Sequence, residues 1–113
     1  MSNATTRAAI AAAVSTIDGL KGYAKRPDSI ASGDAWPRWR GAQRGEQRLF
    51  VNTWSVVVAL PADEDIADDW ADQYGEQLVD ALSPVLYVTD IDPAVLPMGG
   101  TDTLALQITG IAE

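Results

Sequence analysis

The sequence contains no cysteine and no histidine among its 113 residues. Their absence excludes disulfides, thiolate nucleophiles, zinc sites built from Cys and His, imidazole bases and Ser/His triads. We therefore expect no enzymatic activity, no catalytic residues, no metal and no cofactor. No apolar run approaches the roughly 20 residues that span a bilayer, so we also expect no membrane partner.

Basic residues are absent from the second half of the chain. All eight Lys and Arg lie at or before residue 48, beside four acidic residues, whereas residues 49–113 hold twelve acidic side chains. The net charge of −8 argues against a general nucleic-acid-binding surface. This polarity suits a head-to-tail contact between copies, although an ordinary solvated surface can be equally lopsided.

The apolar content of 47% is sufficient for one core, and the length suits a single domain over residues 1–113. Apolar periodicity predicts helices over 5–18 and 63–82 and a strand over 48–60, in which Phe50, Trp54, Val56, Val58 and Leu60 share one face. Further strands are expected over 21–25, 85–91 and 103–111, the last two as a hairpin with a long tip. The pattern predicts an α+β fold with two helices packed on one face of a mainly antiparallel sheet, whose second face is free to meet a partner.

Residues 27–48 contain three glycines and two prolines among many polar groups, which predicts a long loop. This Trp/Arg-rich loop carries half of the basic residues. Its candidate interface residues are Trp36, Arg38, Trp39, Arg40, Arg44 and Arg48. Trp interleaved with Arg is typical of protein interfaces, but the same pattern fits packing within the chain or stacking on single-stranded nucleic acid.

The second predicted helix separates its apolar and acidic residues onto opposite sides. The acidic side consists of Asp65, Asp68, Asp69, Asp72, Glu76 and Asp80. Carboxylates four residues apart can chelate a hard cation, but the segment lacks the glycine turn and terminal Glu of an EF-hand loop. We expect a solvated side, or one that faces a partner or the lumen of an assembly.

Several segments in their order along the chain resemble the small tail-terminator, or tail-completion, proteins of long-tailed bacteriophages. They are the Ala-rich first helix, Asp34-Ala-Trp-Pro, the strand from Trp54 to Asp63, the amphipathic helix, Tyr87-Val-Thr-Asp-Ile-Asp-Pro93, and Leu104-Ala-Leu-Gln-Ile-Thr-Gly110. The resemblance spans nearly the whole chain and rests on order and size without a diagnostic motif.

This resemblance implies a structural virion protein, made in the host cytoplasm, that forms a hexameric ring at the head-proximal end of the tail tube. Such a ring stops tube polymerisation and provides the surface for joining the head. Its implied partners are further copies of itself, the major tail tube protein and a head-completion or neck protein. Genomic DNA would pass through the lumen without sequence-specific binding. The alternative is an acidic cytoplasmic binding or regulatory module in a dimeric form.

Overall fold

The computed structural model describes residues 2–44, 50–98 and 101–112. Its elements are α1 (Asn3–Ser15), β1 (Lys21–Gly22), β2 (Asp34–Arg44), β3 (Phe50–Ala59), α2 (Glu64–Leu82), β4 (Tyr87–Met98) and β5 (Thr101–Ala112). The five strands form one sheet in the order β1-β2-β3-β5-β4, in which only the β1–β2 pair is parallel. The predicted α+β class is thereby confirmed. Neither described helix is long and apolar enough to cross a membrane.

Both helices begin at side-chain caps. Ser2 Oγ accepts a hydrogen bond from Thr5 N at 3.1 Å and caps α1, which therefore begins two residues before the predicted helix over 5–18. Asp63 Oδ1 accepts from Asp65 N at 2.9 Å, which confirms the predicted start of α2. The first backbone N–H groups of a helix have no carbonyl partner within the helix, and these side-chain oxygens accept hydrogen bonds from them.

The two faces of the sheet are covered differently. On the helix face, Trp54, Val56 and Val58 of β3 pack in one core with residues of both helices, including Ile10 and Leu78. This arrangement confirms the prediction that both helices pack on one face. The opposite face carries a smaller cluster of Trp36, Val57, Ala59 and Ala105, against which Tyr23 and Ile30 pack from the segment before β2.

The predicted loop over 27–48 is shorter in the structure, because Asp34–Arg44 forms β2 and pairs with β3. Residues 45–49, including Arg48, lie outside the described part. β1 pairs only with Asp34 and Ala35, so the outer edge of β2 has no strand neighbour from Trp36 onward among the described residues. A strand with a free edge tolerates Pro37, and Gly41 follows a β-bulge with φ 118°. Turn-forming residues thus lie inside a strand.

The hairpin of the last two strands is also longer than predicted. β4 continues through Pro93 and Pro97 to Met98, so much of the expected long tip is paired strand, and residues 99–100 lie outside the described part. β4 is the other edge of the sheet, where a proline need not donate to a second strand.

Two apolar residues depart from the predicted core. Phe50, at the first position of β3, is 56% exposed, and Ile66 in the first turn of α2 is 48% exposed. Both lie within the first turn or at the first position of their element.

Candidate interaction surface

A cleft of about 590 Å³ is lined by four consecutive residues of β2, by Val57 of β3 and by Leu96 and Pro97 of β4, and it collects basic side chains from three segments. It is lined by Arg7, Lys25, Arg26, Trp36, Pro37, Arg38, Trp39, Val57, Leu96 and Pro97. No carboxylate is among these lining residues. Four cations beside aromatic and proline surface make the cleft suited to an acidic segment that also carries apolar side chains.

The two tryptophans of this segment have different environments. Trp36 is 3% exposed and packs in the cluster on the opposite face, so packing within the chain applies to this residue. Trp39 lies across from Trp54 on the helix face and is 46% exposed, with its Nε1 donating to Asn52 Oδ1 at 3.0 Å. Trp39 is therefore the aromatic group of β2 that another molecule can cover.

Arg40 is held across the opposite face of the sheet by neutral partners. Its Nε donates to Ser55 Oγ on β3 at 2.9 Å, and its Nη2 donates to Gln107 Oε1 on β5 at 3.4 Å. The guanidinium is thus oriented by hydrogen bonds that leave its charge available to an anionic group.

The remaining predicted basic residues are exposed on β2. Arg38 lines the cleft and points to the opposite face, because it pairs with Ser55. The Arg44 guanidinium lies 5.5 Å from the centroid of the Phe50 ring at the far end of the hairpin. Arg38, Arg40 and Arg44 therefore follow one strand.

Sequence reasoning missed the cleft residues Arg7, Lys25 and Arg26, which come from α1 and from the segment after β1. Arg7 also lies over the Trp54 ring, with its Cζ 5.4 Å from the ring centroid. Only the parallel β1–β2 pairing, together with α1 beside these strands, brings these residues next to Arg38. The only feature of the sequence that pointed to these three residues was the confinement of all basic side chains to the part before residue 49.

The predicted acidic side of α2 is exposed at all six positions. Asp65, Asp68, Asp69, Asp72, Glu76 and Asp80 are all accessible, while Ala67, Tyr74, Leu78 and Leu82 are buried. Within the described ranges, no group of three or more acidic side chains is arranged to hold a metal ion. At the C-terminal half of α2, Glu76 and Asp80 border the β4 edge of the sheet, where they line one pocket together with Ile91.

A second acidic surface, which sequence reasoning did not single out, lies on β4. Asp90 pairs with Thr109 and Asp92 pairs with Gln107, so both aspartates are on the opposite face of the sheet, and both are exposed. Their alternation with Ile91 in the strand pattern was a signal that could have identified them.

Cross-strand rows show how charge is distributed over the opposite face. One row reads Arg38, Ser55, Thr109 and Asp90 from β2 to β4, in directly paired positions. The next row reads Trp36, Val57, Gln107 and Asp92. The basic and acidic groups thus lie at the two opposite edges of one sheet, separated by neutral residues on β3 and β5.

Comparison with known protein families finds no family model that matches the chain. Comparison with curated protein sequences likewise finds no significant match.

Proposed function

We propose that the chain is a structural virion subunit of the tail-terminator kind, which assembles head-to-tail into a closed ring of six copies. The ring caps the head-proximal end of a phage tail tube, stops its polymerisation and presents the surface to which the head is joined. The sequence resemblance supports the phage role. The opposed charges at the two edges of the sheet support the head-to-tail ring.

The observation that carries the proposal is the separation of the cleft cations on the β2 side from Asp90 and Asp92 on the β4 side. Two different surfaces that complement each other make a heterologous contact, which closes into a ring when the rotation between copies allows it. A two-fold dimer instead needs one self-complementary surface. Two edges of opposite charge therefore favour the ring over the dimeric regulatory module.

The proposal assigns partners to the remaining surfaces. The two ends of the ring would contact the tail tube protein and a head-completion or neck protein. The acidic side of α2 is free to face one of these partners or the bore. In the bore it would repel the phosphates of genomic DNA and keep passage free of sequence-specific binding.

A stop codon at Trp36 in the phage genome that encodes the chain tests this role. The expected result is filled heads that stay separate from their tails, together with tubes of irregular length, because nothing halts tube growth or joins the head. Electron microscopy of the lysate measures both features. A host that suppresses the stop codon is the control and should restore joined particles. Joined particles with tails of normal length in the non-suppressing host would contradict the proposal.

A further inference from the structure

Both edges of the sheet are open over a considerable length. The outer edge of β2 is unpaired from Trp36 to Arg44, and that of β4 along its whole length, in the part of the chain described. Long exposed edges present unpaired backbone N–H and C=O groups and pair readily with another strand. Pro37, Pro93 and Pro97 lack an N–H, so Arg38–Arg44 and Tyr87–Asp92 are the longest proline-free stretches of the two edges.

The side chains of these two stretches complement each other on both faces of the sheet. On the opposite face, β2 presents Arg38 and Arg40, whereas β4 presents Asp90 and Asp92. Because side chains alternate along a strand, the register that places Asp90 and Asp92 opposite Arg40 and Arg38 also keeps the two faces aligned.

On the helix face, both edges instead present exposed apolar groups. β2 presents Trp39, and β4 presents Ile91 and Val95, of which Val95 is 58% exposed. Burial of these groups against each other would add an apolar contact beneath the charged one.

We propose that the outer edge of β4 in one copy pairs antiparallel with the outer edge of β2 in the next, with Asp90 and Asp92 facing Arg38 and Arg40. This inference rests on the proposed ring and names the surfaces that build it. Within one sheet β2 and β4 run in opposite directions, so copies related by rotation about an axis along the strands bring these edges together antiparallel. The sheet then continues from subunit to subunit.

The β4 edge fits the cleft better than the acidic side of α2. The α2 surface offers carboxylates, of which Glu76 and Asp80 lie beside Val79 and Ile91, but as a helix it has no free backbone edge. The β4 edge offers carboxylates on one face, apolar side chains on the other and unpaired backbone between them. Lys25 and Arg26, which line the same cleft beside Arg38, add further positive charge for Asp90 and Asp92.

Two charge-reversal variants test the pairing. The first carries Arg38→Glu with Arg40→Glu, so that the two β2 positions that face Asp90 and Asp92 become acidic. The second carries Asp90→Lys with Asp92→Lys, so that both of its edges are basic. Each variant alone should self-associate about a hundredfold more weakly than the unmodified chain, because like charges then meet at the two directly facing positions of each strand. Native mass spectrometry over a concentration series measures this loss.

An equimolar mixture of the two variants should recover the ring. Every contact in the mixture can again join opposite charges, but only when the two variants alternate around the ring. Native mass spectrometry should therefore show six-subunit species with three copies of each variant and no other composition. A random distribution of compositions would overturn the pairing.

A matched control places the same charge change elsewhere. The variant Asp68→Lys with Asp72→Lys changes two exposed carboxylates of α2 and should associate like the unmodified chain. Far-UV circular dichroism checks that every variant is folded. Because Arg40 holds the buried Ser55, Lys25→Glu with Arg38→Glu replaces the first variant if it fails to fold.

The outcomes separate this inference from the proposed function. If the unmodified chain forms a ring that the edge variants leave intact, or that only the α2 variant breaks, the ring stands and the strand pairing is wrong. If the unmodified chain forms a two-fold dimer or stays monomeric, the proposed ring fails and the pairing fails with it.

Discussion

Trp54→Ala should lower the free energy of unfolding by about 3–5 kcal/mol, which is the usual cost of deleting a large aromatic side chain from a core. Trp54 is fully buried in the centre of β3, between Trp39 and Gly110 on the neighbouring strands. Arg7 of α1 lies over its ring, so the substitution also removes a contact between helix and sheet. For a domain of about this size, the loss corresponds to a melting temperature lower by roughly 15–25 °C.

Urea denaturation followed by far-UV circular dichroism measures this loss without depending on tryptophan fluorescence. The titration belongs at low protein concentration and high salt, because self-association would otherwise raise the apparent stability. Trp39→Ala is the matched control. Its ring is half exposed, so the variant should lose about 1 kcal/mol or less in stability, yet it should weaken self-association. Equal destabilisation by both substitutions would contradict the assignment of one tryptophan to the core and the other to the surface.

Gly22→Ala should destabilise the fold by about 2–3 kcal/mol, as expected when an added atom has no space. A Cβ at Gly22 would collide with the carbonyl oxygen of Ala11, which belongs to the α1 backbone and cannot move independently of the helix. Gly22 N also donates to Ser15 Oγ at 3.0 Å, so the collision would disturb the anchoring of β1 to the end of α1. Thermal unfolding measured by circular dichroism reports the effect.

Gly75→Ala provides the opposite result in the same experiment. Gly75 lies inside α2, and a Cβ there would meet no atom within 4 Å. The alanine should therefore stabilise the chain by about 0.5–1 kcal/mol through its higher helix propensity. If Gly22→Ala were tolerated as well as Gly75→Ala, the close approach of α1 to β1 would be wrong.

The elements that the sequence predicted best are those with a strong local pattern. β3 and α2 lie within two residues of their predicted bounds, because a continuous apolar run and a separation of apolar from acidic residues each indicate one structure. All of β2 and the second half of β4 were predicted as loops. Their prolines and glycines are local signals for turns, whereas their strand structure depends on pairing with distant β3 and β5.

The candidate surface could be predicted only in part for a similar reason. The exclusion of basic residues from the second half of the chain is evident from the sequence and predicts two surfaces of opposite sign. Their location at opposite sheet edges follows from the strand order, which no local pattern contains. Arg7 and Arg38 are 31 positions apart and meet at one cleft only because α1 packs beside β2.

Native mass spectrometry of the unmodified chain over a concentration series at low salt tests the ring most directly. We expect a six-subunit species without larger or open-ended assemblies. In a closed ring, each β2 edge and each β4 edge is already paired with a neighbouring copy, so no edge remains to bind a further subunit. Added salt should weaken the ring by screening the contact between the basic and acidic edges. A stable dimer, or a monomer at every concentration, would contradict head-to-tail closure and favour the dimeric binding module or a chain without self-association.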